Sequence, residues 1–314
     1  MAGNFDASLP LFVYGALQPG ELAWPFLKPM VVGDPKTATL EGFCLVLVDG
    51  VPTVMEKTHS SITGSIVHLK DEQAFERIGT FEDVGRYYRW AILMTDQGLA
   101  NVLCSAGEPD KPTEIYRWTS ADDIYFGSAV PFGFGALTRL RTSIYSRNVD
   151  GSGEVEDFLE LQSLYGLYWT LFERLLLFTT GAPRKFPGDS NDRETLISRL
   201  RNAQKNNLWQ AAVEKSKVER ISCSPNDEPY DREKRKHASK APLETWYCLR
   251  NNVIHRGKGA PREVHKLLKA CIDFHNTLAW FLQDNNESIR LKWETELTSR
   301  SEVPYSDGLY VLGK

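Results

Sequence analysis

The sequence has no paired cysteines, no metal-ligand motif, no bilayer-length apolar run and no general excess of positive charge. Its five cysteines, at positions 44, 104, 223, 248 and 271, are scattered without a Cys-x-x-Cys. That excludes a zinc ribbon or a disulfide scaffold and predicts buried free thiols in a reducing cytosol. The six histidines include no His-Glu-x-x-His arrangement, so no metal and no cofactor are expected. The most apolar run, Leu171 to Phe178, is short and contains Glu173 and Arg174, so no membrane span is predicted. The opening MAGNFDASLP lacks a basic-then-apolar layout, which makes export unexpected and a cytoplasmic location the expectation. A net charge of −4 means that any nucleic acid would have to be bound through a local basic patch.

What is present is an ordinary globular composition, 42% hydrophobic and 25% charged, over 314 residues, a length that suits two domains. The first half reads as short strands. LFVYG at 11–15 is closed by Gly15 and followed by Pro19-Gly20, and strand-like runs follow at 38–48, 51–55 and 62–69. An acidic helix-compatible stretch covers 70–78. Tyr87–Thr95 and Gly98–Ser105 are predicted to pair as a hairpin around Asp96–Gly98. Many short strands with one or two helices give a small mixed barrel of α+β class.

Three segments then carry a resemblance: FVYGALQPG, TGSIVHLKDEQAFERIGTFEDVGRYYRWAILM and DQGLANVLCSAG. In order and spacing they resemble the gamma-glutamyl cyclotransferase-like family, also called AIG2-like, over the first hundred-odd residues. The resemblance implies substrate-binding roles for Tyr14, Gly15, Ala16, Leu17 and Tyr88 and a catalytic role for Glu82. Ala16 stands where the family usually carries Ser or Thr. The residue types suit the chemistry. A glycine loop lets backbone N–H groups approach a carboxylate, and an acid shielded by Phe81 and Tyr88 has its pKa raised toward the range of proton transfer. A solvated acid beside a bare tight turn is the other reading of these residues.

From residue 121 to 153 the chain is rich in glycine and aromatics. VPFGFGAL is not expected to form a long helix, and Asp150-Gly-Ser-Gly reads as a hinge. Beyond it the period becomes helical. Apolar residues from Val155 to Leu176 recur at steps of three and four over 154–179. Further helices are predicted from Asn191 to about Lys215, from Pro242 to Arg256, and from Ala260-Pro261 to about Gln283. Between the second and third lies a basic run with Arg232, Lys234, Arg235, Lys236 and Lys240, read as a solvated loop or an RNA contact.

The third of these helices, PLETWYCLRNNVIHRGKG, places Arg250 next to Asn251, with His255 five positions on. A permanent cation and a group that titrates near neutral pH suit phosphodiester chemistry. A surface helix whose basic end complements its dipole is the alternative. Set on a four-helix bundle, the segment resembles the HEPN superfamily, over roughly residues 154–285. That resemblance implies a metal-independent, homodimeric endoribonuclease with Arg250, Asn251 and His255 catalytic and Arg256 and Lys258 binding RNA. Five helical steps set Arg250 and His255 about 140° apart, which calls for a cleft between two copies.

The whole chain is thus expected to comprise a cyclotransferase-like domain at 1–118, a connector at 119–153, an all-α HEPN-type four-helix bundle at 154–300 and a tail at 301–314. The expected function is RNA cleavage, as a toxin or antiviral effector, with the first domain sensing or processing a γ-glutamyl-type small molecule. The alternatives are a γ-glutamyl-amine cyclotransferase whose helical half dimerises, and a non-catalytic scaffold.

Overall fold

The computed structural model describes residues 4–48, 51–107, 112–147, 155–180 and 264–298, with Trp209, Trp246, Tyr247 and Arg250. Two compact units emerge: Met1–Ile124 with Leu175–Arg184, and Tyr125–Arg174 with Lys185–Lys314.

In the first unit, strands β1 (Leu11–Val13), β2 (Val31–Val48), β3 (Val51–Leu69), β4 (Tyr88–Thr95), β5 (Gly98–Ser105) and β6 (Thr113–Ile115) form one sheet ordered β4-β5-β1-β3-β2-β6. Short β1 is antiparallel to β3 and parallel to β5. Where β1 stops, β5 reaches past it and pairs directly with β3 at Val54↔Cys104, which curls the sheet. The predicted hairpin is present as β4–β5, closing at Thr95↔Gly98. The runs at 38–48, 51–55 and 62–69 belong to two long strands, not three. Pairing passes from Glu41↔Ser61 to Phe43↔Glu56, and the polar stretch between Glu56 and Ser61, with His59 at φ 63, is accommodated as a bulge.

The sheet buries apolar residues on both faces because the side chains alternate. Leu11, Val13, Val67, Trp90 and Leu103 face one cluster, and Phe12, Ile66, Val54, Val102 and Cys104 the other. Helix α1 (Trp24–Leu27) and helix α2 (Glu72–Phe81) supply Phe26, Leu27, Ala74, Phe75 and Ile78 to the first cluster. Asp71 caps α2 by accepting from the Ala74 amide at 2.9 Å. Gly64 lets β1 lie close on β3, since a Cβ there would stand 2.4 Å from the Val13 carbonyl.

The second unit is helical in its described residues: α3 (Val130–Arg147), α4 (Val155–Thr180, whose end is counted with the first unit), α5 (Val264–Asn285) and α6 (Glu287–Thr298). Two of these match the helices expected at 154–179 and 261–283. Helix α3 corrects the expectation that VPFGFGAL could not enter a long helix. Pro131 follows closely on a π-helical segment, Ile124–Ala129, whose wider hydrogen-bond spacing accommodates a residue without an N–H, and Gly133 is a close-approach site. A Cβ on Gly133 would meet the Tyr168 hydroxyl at 2.0 Å. That hydroxyl lies 3.0 Å from Nδ1 of fully buried His275. Helix α6 was not expected; Asn286 starts it by accepting from the Ile289 amide at 2.9 Å.

Phe274 centres the core of this unit, with Tyr165, Phe172 and Trp246 around it at 5.4, 5.6 and 4.5 Å. Trp169, Trp246, Trp280 and Trp293 are all buried, as core residues should be. Apart from Trp209, Trp246, Tyr247 and Arg250, the helices expected at 191–215 and 242–256 lie outside the described residues, as do the Asp150 hinge and the basic run, so a four-helix HEPN bundle is not established. Among the described residues no helix is long and apolar enough to cross a membrane.

Candidate active site

The split that opens where β1 ends is where the chain leaves the sheet. Tyr14 to Gly20 emerge there between β3 and β5, folded by turns in which Gln18 N–H donates to Gly15 and Glu21 N–H to Gln18, both at 3.0 Å. The exit is pinned by Glu21, whose carboxylate accepts from the Ser120 amide at 2.7 Å. Among the described residues the amides of Gly15, Ala16 and Leu17 donate to no carbonyl. Amides left without a carbonyl partner are the kind of group that can receive an anion. Leu17 itself is buried in the core.

Two phenols form the wall beside this loop. Tyr14 donates to the Leu103 carbonyl of β5, and Tyr88 donates to the Pro52 carbonyl at the start of β3, at 2.8 Å. Pro52 also lies against Gly15, within 3.4 Å of where a Cβ would stand. Thr53, almost fully buried next to Pro52, has a hydroxyl with no hydrogen-bond partner among the described residues. Burial holds both phenols well above their ordinary range, and the charge of Glu82 raises both further.

Glu82 owes its position to how α2 ends. Its amide donates to Ile78 at 2.9 Å, and then Asp83 turns left-handed at φ 55. Asp83 N–H returns to Thr80 and Val84 N–H to Gly79, the reciprocal pair that closes a helix when the next residue is left-handed. Glycine is the usual occupant of that place, and an aspartate there carries strain beside the functional carboxyl. Asp83→Gly is therefore expected to stabilise the fold by about 1 kcal/mol, roughly 2 °C in a thermal melt. The exposed Arg86–Asp83 ion pair that it removes, at 3.7 Å, contributes little.

The Glu82 side chain is half-buried, yet burial alone pushes its carboxyl up to about 7. Cys104, on β5 near Tyr14, is pushed up to about 11 by burial and stays a neutral thiol. Cys44, Cys104 and Cys271 are all buried and free. Among the described residues no cluster of His, Cys, Asp and Glu could hold a metal ion.

The structure thus brings Tyr14, Gly15, Ala16, Leu17, Glu82 and Tyr88 together. Sequence reasoning missed Pro52, Thr53 and Leu103, which enter only through strand pairing and match no motif. Of the second expected site, Arg250 is described: its guanidinium lies 5.5 Å from the Trp169 ring, within the helical unit. Asn251, His255, Arg256 and Lys258 lie outside the described residues.

Residues 11–124 match the family model for gamma-glutamyl cyclotransferase, AIG2-like proteins. The matched span contains Tyr14, Gly15, Ala16, Leu17, Glu82 and Tyr88 and stops before the helical unit. The crystal structure of an uncharacterized protein from Pyrococcus horikoshii is similar to this chain at 25% identity. The similarity covers 34% of this chain and 86% of that one, with a TM-score of 0.29. No curated protein matches the chain.

Proposed function

We propose that the first unit is a γ-glutamyl cyclotransferase, acting on a γ-glutamyl amine to release 5-oxoproline and the free amine. The observation that carries this is Glu82: a carboxyl raised to about 7 by burial, inside the segment that matches the family, which also holds the loop at Gly15–Leu17 whose amides donate to no carbonyl among the described residues. The substrate's α-carboxylate suits the amides of Gly15, Ala16 and Leu17. Its α-amine then attacks its own side-chain carbonyl. As the new N–C bond forms, the Glu82 carboxylate takes a proton from that amine; as the old C–N bond breaks, it returns the proton to the leaving nitrogen. Atoms and charge balance with no oxidant, reductant or metal. Tyr14 and Tyr88 donate hydrogen bonds to main-chain carbonyls and stay neutral, so they do not compete as acids.

This reading replaces RNA cleavage as the leading function. The family match does not reach Arg250 or His255, and it supports what stood as the alternative. The test is incubation of the full chain with a γ-glutamyl amide and, separately, its α-linked isomer, with products followed by mass spectrometry. Equimolar 5-oxoproline and amine from the γ isomer alone is the expected result. Neither product from either isomer, with folded protein, would contradict the proposal.

A further inference from the structure

Helix α4 begins in the second unit, but from Leu175 on it is counted with the first. Phe178 lies on that last stretch, its ring centroid 5.7 Å from that of Phe81. Phe81 in turn stacks on Phe26 at 4.7 Å. Arg77, one turn earlier on α2, lies over the Phe26 ring at 5.8 Å. Two rings, Phe26 from α1 and Phe178 from α4, therefore brace Phe81, the residue immediately before Glu82. Phe81 is half-buried, and these ring contacts add to the closing hydrogen bonds and the buried Ile78 in holding the last turn of α2.

The geometry points to Phe178 as a positioning residue for Glu82, supplied by chain outside the matched segment 11–124. It fixes the turn that aims the carboxyl and limits the approach of water from the Phe81 side. This inference rests on the assignment of Glu82 as the acid–base group. A helix end held on one side only would let the carboxyl swing toward solvent, and a more hydrated carboxyl ionises more readily. The groups coupled to Glu82 from other elements are Tyr14 beyond β1 and Tyr88 on β4, both neutral over the range in which it titrates. Asp83 and Arg86 are the charged neighbours on the turn that follows.

The experiment compares wild type, Phe178→Ala and Phe178→Leu in the full chain. The Glu82 midpoint is read by 13C NMR of carboxyl-labelled glutamate, with Glu82→Gln to assign the signal and circular dichroism to check folding. Phe178→Ala is expected to lower the midpoint by about one unit, and Phe178→Leu, which keeps bulk but not the ring, by about half as much. Turnover in Phe178→Ala is expected to fall about tenfold with KM little changed, as misplacement of a reacting group requires. An unmoved midpoint in either folded variant overturns the proposal, even if wild type releases 5-oxoproline. A lowered midpoint in a chain whose wild type releases none upholds the positioning and defeats the cyclotransferase reading.

Discussion

Replacing Glu82 with glutamine is expected to lower 5-oxoproline release by at least about a thousandfold while leaving substrate affinity within a few-fold. Glutamine keeps the size and the hydrogen-bonding atoms of the side chain but can neither accept nor return a proton. The loop amides at Gly15 to Leu17 are untouched by the change, so binding of the α-carboxylate survives. The loss should therefore fall on kcat, measured at saturating γ-glutamyl substrate. A raised KM with normal kcat would make Glu82 a binding residue and move the proton transfer elsewhere.

The same substitution is expected to stabilise the protein, and increasingly so with rising pH. In the folded chain Glu82 keeps its proton up to about 7, whereas an unfolded glutamate loses it near 4.5. Between those values the folded state holds a proton that the unfolded state has released, so wild-type stability falls as pH rises through this window and levels off above it. Glutamine has no proton to lose. All other titrating groups are common to both proteins, so the difference between their melting curves isolates this one. It should be close to zero at pH 4.5 and reach about 1–3 kcal/mol by pH 8 in favour of Glu82→Gln. The lower part of that range allows for solvent reaching the half-buried carboxylate. A constant difference across pH would mean that Glu82 titrates normally. Together the two expectations describe a residue kept for its chemistry at a cost in stability.

How much of this was legible in the sequence depended on whether the signal was local. The β4–β5 hairpin was, because Asp96-Gln97-Gly98 defines its turn. Helix α4 was, because its apolar residues recur at helical spacing from Val155 onward. The loop at Tyr14 to Leu17 and Glu82 after Phe81 were legible as motif positions. Helix α3 was misjudged because Pro131 and Gly133 were weighed as helix breakers. Their meaning depends on place: one follows a π-helical segment that tolerates its missing N–H, and the other is a contact point for Tyr168 from a different helix. Thr53, Leu103 and Phe178 could not be found by spacing at all. They come from β3, β5 and α4, and only the sheet pairing and helix packing set them beside Tyr14 and Phe81. Asp83 hid in the same way, since nothing in Glu-Asp-Val-Gly says which residue takes the left-handed turn.

The central claim is that Glu82 acts as the base in its ionised form, and the pH dependence of kcat/KM for 5-oxoproline release tests it most directly. The account predicts an ascending limb with a midpoint at about 7, the value that burial gives the carboxyl, because the free enzyme must lose that proton before it can take one from the substrate amine. The limb should be absent from whatever activity remains in Glu82→Gln. A wild-type profile that is already flat from pH 5 upward, or the same limb at 7 in Glu82→Gln, would contradict it.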